Sequence, residues 1–389
     1  LQDWAEYPTE TAGSNWPNEA HAAFGRLWLA DYDSDKTVVS WSGLLNGENW
    51  TSLGYGALQT EEYWPSGFDR IRALAAHNNF MCVFGERNIL VYTTTADVLS
   101  TLQLADTIEG IGCIARDSVV PTGVDFMFID ATGVRSLMRT IQEKSVPIGD
   151  ISRNVRNDFQ NALRFESQDD IKAVFHVEDS FYCTFLPGNP LTYIFDTWNP
   201  LQGGAARATT WTNIVPRCAT RTLDRQTYFG GVGGVYKYEG AQDVTFDGTD
   251  TTTMSIAFEY YTHPIDFGEP AKLVFPKQVD VVLFGGLQGD LNLNWGYDYL
   301  PTTKRIPKAI SAQGSLALWG DGWEWSDPEN EPANVGNFGE WTQGENSQQL
   351  KYNIWGSGRN IKIGFDSTIL GSTISLQQID IQALQGRLL

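Results

Sequence analysis

Between residues 24 and 240 the chain repeats one pattern: a short apolar run, a polar turn, and a second apolar run. The pairs are 25–30 with 37–42, 79–84 with 88–92, 125–129 with 133–137, 180–185 with 191–196, and 226–230 with 233–238. Each run is β-branched or aromatic, and the connections carry Gly, Asp, Asn or Pro, so each pair predicts a β-hairpin. Copies recur about every 40 to 55 residues, the size of a propeller blade. The repeat lies in pattern and not in letters. Residues 148, 151, 155 and 159 are apolar at helical spacing, which predicts a short helix over 148–161 with Asp150 or Ser152 as N-cap.

The rhythm changes near residue 255. The segment 243–253 is polar and reads as a linker. Longer runs follow at 256–261, 271–275, 278–284, 291–295, 349–355, 360–365 and 374–384. Alternation from Ile374 to Ile381 puts the apolar residues on one face, as a sandwich strand requires. The expected fold is all-β. A β-propeller of five or more blades spans 1–245, its start missing or contributed by an upstream segment. A β-sandwich spans 246–389 and carries a Trp-rich loop at 319–341.

Composition sharpens this picture. The 389 residues include 14 Trp, 15 Tyr, 20 Phe and 38 Gly, which suits strands joined by tight turns. A formal charge of −20 speaks against tight binding to a phosphate backbone, which needs clustered Lys and Arg. No apolar run is long enough for a membrane-spanning helix, so no membrane insertion is expected. The chain opens on Leu1 without a signal segment, and is expected to begin inside a longer polypeptide.

Candidate chemistry is sparse. Cys82, Cys113, Cys183 and Cys218 never approach metal-ligand spacing and are expected to be buried free thiols. His21, His77, His176 and His263 fall in no catalytic motif, with His176 inside a strand. Residues 42–50 align in part with the sialidase turn Ser-x-Asp-x-Gly-x-x-Trp, but Gly43 and Leu45 stand where Ser and Asp belong. Asp31, Asp33 and Asp35 alternate on a short turn that suits either a hard cation such as Ca2+ or plain solvation. Trp319, Trp323 and Trp325 are candidate docking aromatics for a subunit or partner, with sugar stacking as the other option. No catalytic, cofactor or metal residue is assigned.

The run from Ile71 to Tyr92, with a strand ending Phe84-Gly85 and then Ile89-Leu90-Val91-Tyr92, resembles the podovirus tail-nozzle family, also called packaged-DNA stabilisation proteins. The similarity continues through Ile108–Cys113, Asp125–Ser136, Phe181–Asp196 and Tyr228–Glu239. The resemblance implies a non-enzymatic structural protein of the virion tail of a short-tailed bacteriophage. It implies a homo-oligomer, expected as a hexamer, beneath a portal–adaptor ring. Tail fibre or spike proteins would attach, and double-stranded DNA would pass through the lumen without sequence-specific binding. The competing reading is a secreted propeller that binds or hydrolyses glycans.

Overall fold

All strand pairings among the described residues of the computed structural model are antiparallel. The structure describes residues 16–50, 54–93, 102–142, 151–310 and 347–388, apart from stretches of one to four residues inside these ranges. The chain divides into two units, 1–238 and 239–389.

Among the described residues, the first unit holds five sheets in chain order. Sheet one is β1 (Pro17–Ala23), β2 (Arg26–Tyr32), β3 (Val38–Trp41) and β4 (Gly56–Gln59). Sheet two is β5 (Ile71–His77), β6 (Phe80–Gly85), β7 (Asn88–Thr93) and β8 (Gln103–Glu109). Sheet three is β9 (Val120–Pro121), β10 (Phe126–Asp130) and β11 (Gly133–Ser136). Sheet four is β12 (Lys172–His176), β13 (Phe181–Leu186), β14 (Leu191–Asp196) and β15 (Arg207–Trp211). Sheet five is β16 (Cys218–Arg221), β17 (Thr227–Gly231) and β18 (Gly234–Lys237). Each is a simple meander, and the five apolar pairs of the sequence are the second and third strands of these sheets.

The unbroken apolar runs follow from burial on both faces. In β6, Cys82 and Phe84 pack with Phe126 and Phe128 of sheet three, while Met81 and Val83 pack with Trp28 and Val39 of sheet one. In β13, Tyr182 joins Met127 and Ile129 of sheet three, while Phe181, Cys183 and Phe185 join Phe229 of sheet five. Consecutive residues thus serve neighbouring sheets, which stack face to face in chain order. Each fully buried Phe or Leu here contributes about 1.5–3 kcal/mol. First strands also meet: β1 lies beside β5, the 3-10 turn Arg116–Ser118 beside β5 and β12, and β12 beside β9 and β16.

Helix α1 (Leu137–Gln142) follows β11, and α2 (Arg156–Leu163) lies before β12. The expected helix therefore starts later than its apolar spacing suggests, behind a 3-10 turn at Arg153–Val155. Ser152 does not cap it; its Oγ accepts the Val134 N–H at 3.0 Å, tying the turn to β11. Asp150 lies outside the described residues. Phe159 is the helix's buried anchor, set edge-on against Tyr193 and Phe195.

In the second unit the expected linker is a strand pair, β19 (Asp243–Phe246) with β20 (Thr251–Met254). Its run of β-branched threonines favours pairing over free coil. Then follow β21 (Ile256–Tyr261), β22 (Lys272–Gly285), β23 (Gly289–Tyr297), β24 (Lys304–Ile310), β25 (Ser347–Asn353), β26 (Ile361–Ile369) and β27 (Ile374–Leu388). One sheet runs β21-β26-β23-β24 and another β25-β22-β27. The two runs expected around Pro276 are one strand, β22. The register against β27 shifts between Pro276 and Gln278, where proline offers no N–H. Val279, Val281 and Leu283 of one sheet share a core with Leu293, Trp295 and Phe365 of the other. Tyr352 bridges the sheets, donating its hydroxyl to the Leu291 carbonyl at 2.7 Å.

Candidate functional site

Where the first strands of the first unit meet, charged side chains gather. The alternation of β1 turns Glu19 inward, and its Oε1 accepts the Leu74 N–H of β5 at 3.1 Å. Arg116 approaches the other oxygen, Oε2, to 4.0 Å, and reaches Asp117 at 3.2 Å. Asp117 in turn forms a close ion pair with Lys172 of β12, whose ammonium also donates to the Asp169 carbonyl at 2.7 Å. Three sheets and the 3-10 turn are thereby joined through ionisable groups.

Burial pushes the Glu19 carboxyl up to about 7, against the lowering pull of the Leu74 N–H and of Arg116. Asp117 moves the other way. Burial raises it, but the hydrogen bonds from Arg116 and Lys172 outweigh that and hold it below the usual carboxylate range. Glu19 and Asp117, which share Arg116, thus hold opposite protonation preferences: burial dominates at Glu19, and two hydrogen-bonding cations outweigh it at Asp117.

Beside this cluster lies a cleft of about 550 Å³ between β9, β12 and β16. Val120, Pro121 and Phe175 give it apolar walls, and Asp117, Lys172 and Arg221 stand among its polar groups. Its volume is that of a small-molecule pocket. Cys218 also lines it and is exposed, unlike the buried Cys82, Cys113 and Cys183. The expectation of four buried thiols is corrected here: β16 is an edge strand, and Cys218 stands opposite Gly230, which has no side chain to cover the thiol.

The other sequence candidates fall elsewhere. Asp31 is buried, with Lys36 Nζ at 3.2 Å and Arg70 Nε at 3.4 Å. Asp35 accepts the Thr37 N–H at 2.9 Å and the Gln59 amide at 3.1 Å. These carboxylates serve the turn and its neighbouring cations instead of converging on one point. Trp50, from the sialidase-like stretch, is a core residue against Leu29 and Tyr32. Trp319, Trp323 and Trp325 lie outside the described residues.

His176 has partners that its sequence context does not reveal. Its Nδ1 lies 2.9 Å from Thr227 Oγ1 and its Nε2 3.3 Å from Asp179. The order of carboxylate, imidazole and hydroxyl resembles a nucleophile relay, but Thr227 is 1% exposed and the ring is packed against Phe181 and Tyr238. The set ties sheet four to sheet five.

No family model matches the chain, and no curated protein does. Among solved structures, the chain is similar to the extracellular domain of a protein assigned as a hybrid two-component system from B. thetaiotaomicron, at 12% identity and a TM-score of 0.23. That match covers 88% of this chain, which spans 56% of that domain's length. At this score the likeness carries no argument about fold or function.

Proposed function

We propose that the five sheets of the first unit are blades of a β-propeller, that the second unit is a β-sandwich, and that the protein is the tail nozzle of a short-tailed phage. In this reading it extends the DNA channel below portal and adaptor, retains packaged DNA, conducts it during ejection, and carries fibres or spikes. The observation that carries the reading is the repeated place of the family-like segments. Phe80–Tyr92, Asp125–Ser136, Phe181–Asp196 and Tyr228–Lys237 each supply the second and third strands of successive sheets. Sheets with both faces buried resist shear, as a load-bearing wall must. A wall with the chain's net charge of −20 repels phosphate, so DNA slides along it instead of adhering.

Mass photometry and electron microscopy of the protein, with and without a portal–adaptor assembly, test this. A ring of about six subunits with a central channel, docking under the adaptor, is expected. A persistent monomer that ignores the adaptor overturns the reading in favour of a secreted glycan-binding or glycan-hydrolysing propeller.

A further inference from the structure

One end of the second unit presents Trp355, Tyr299 and Leu300 at 57%, 81% and 66% exposure. The backbone beneath them is tightly held. The Trp355 carbonyl accepts three side-chain donors: Trp295 Nε1 at 3.2 Å, Tyr297 Oη at 3.1 Å and Lys304 Nζ at 3.1 Å. The Trp355 ring stands at 88° to that of the buried Trp295, with centroids 4.9 Å apart. A methyl group at Gly356 would lie 2.5 Å from Tyr297 Cε2, and one at Gly358 2.7 Å from Tyr297 Cβ. The segment after Trp355 therefore closes on Tyr297 with no room to spare.

The facing turn is strained. Asp298 and Tyr299 both adopt left-handed backbone, at φ 50° and 63°. Such residues cost about 1 kcal/mol or more each and persist where the surroundings impose them. Here Asp298 Oδ1 accepts the Arg359 N–H at 2.6 Å and the Asn360 N–H at 3.4 Å, and Leu300 N–H reaches the Tyr297 carbonyl at 2.9 Å. Large side chains are thus fixed pointing into water, the reverse of what packing alone selects.

Two cations complete the surface. Lys304 Nζ lies 5.0 Å from the Tyr297 ring centroid and 5.9 Å from that of Trp355. Arg359 is exposed, its backbone N–H held by the Asp298 carboxylate and its guanidinium in no ion pair among the described residues. Burying these charges unneutralised under an apolar protein partner would be costly. An anionic ligand that leaves them partly hydrated would not incur that cost.

We propose that this end of the second unit is a carbohydrate-binding site for acidic sugars, stacking the apolar face of a uronic-acid pyranose on Trp355 with its carboxylate against Lys304 and Arg359. The ammonium uses one proton on the Trp355 carbonyl and has two more to give. The proposal does not depend on the oligomeric state of the chain.

The test is titration of the full chain with trigalacturonate and, as a neutral control, maltotriose, followed by tryptophan fluorescence and saturation-transfer NMR. Saturable binding of trigalacturonate is expected, weakened at least about tenfold by Trp355→Ala. Lys304→Met is expected to weaken trigalacturonate by about tenfold while leaving the weaker maltotriose signal unchanged. Arg359→Met, which leaves the Trp355 carbonyl contacts in place, serves the same purpose if Lys304→Met unfolds. No saturable binding of trigalacturonate by the folded parent up to about 10 mM overturns the proposal. So does binding that Trp355→Ala leaves intact. A change of oligomeric state in Trp355→Ala without any effect on sugar assigns the surface to a protein partner and likewise overturns it.

Discussion

A buried carboxyl makes stability depend on pH, and Glu19 supplies the case. Its folded-state value near 7 stands above the ordinary 4.5, chiefly through burial. The folded chain therefore holds this proton more tightly than the unfolded chain. Glu19's favourable contribution is complete below about pH 4.5 and is lost as pH rises through 7. Above that, the ionised group costs up to about 3 kcal/mol. Glu19→Gln keeps an acceptor for the Leu74 N–H and removes the titration, so its melting temperature should exceed the parent's at pH 8 and not at pH 5. Melting curves at the two pH values check this. A constant offset between parent and variant would sink the assignment. Nothing in the sequence separates Glu19 from the other 46 acidic residues, because the feature that distinguishes it is burial, which comes from tertiary packing.

At the scale of elements, a second repeat underlies the hydrophobic one. Asp69, just before β5, accepts the N–H groups of Glu86 at 2.9 Å and Arg87 at 3.0 Å, and the Asn88 amide at 2.9 Å, in the β6–β7 turn. Glu166, before β12, accepts those of Gly188 at 3.0 Å and Asn189 at 2.5 Å in the β13–β14 turn. In both cases a carboxylate from the approach to a sheet caps that sheet's second hairpin, and a glycine makes room for it. A Cβ would meet Asp69 Oδ2 at 2.5 Å from Gly85, and Glu166 Oε2 at 3.0 Å from Gly188.

Asp69→Ala strands three donors at a buried site and should cost about 2–4 kcal/mol. Glu166→Ala, in a half-exposed loop where water replaces the carboxylate, should cost about 1 kcal/mol. Urea denaturation of the two variants decides this; equal losses would mean the caps do not differ in burial as described. The caps are invisible in sequence because acid and turn are 17 to 23 residues apart and of different residue types. The second and third strands of sheets two to four, by contrast, are legible as continuous apolar runs because both faces are covered. The outer strands β8, β15 and β24 are not, since polar residues such as Gln103, Glu109, Arg207, Thr209, Thr210 and Arg305 fill exposed positions in them.

At the scale of the molecule, each unit closes its own core. The clusters around Phe128, Tyr182 and Phe185 draw only on the first unit, and the cluster around Trp295 and Phe365 only on the second. Sequence rhythm shows the change near residue 255 but places the division in a polar stretch that is itself a strand pair, because burial and not polarity decides where one core ends. Separate cores should melt separately. Trp295→Ala removes a fully buried ring from the second unit and should cost it about 3–5 kcal/mol. Phe128→Ala should do the same to the first, where Phe128 stacks edge-on with Phe84 at 5.1 Å. Calorimetry of the full chain should then resolve two transitions, with each substitution lowering one and leaving the other in place. A single transition that shifts as a whole with either substitution would show that the two cores unfold as one cooperative body, despite sharing no buried side chain in these clusters.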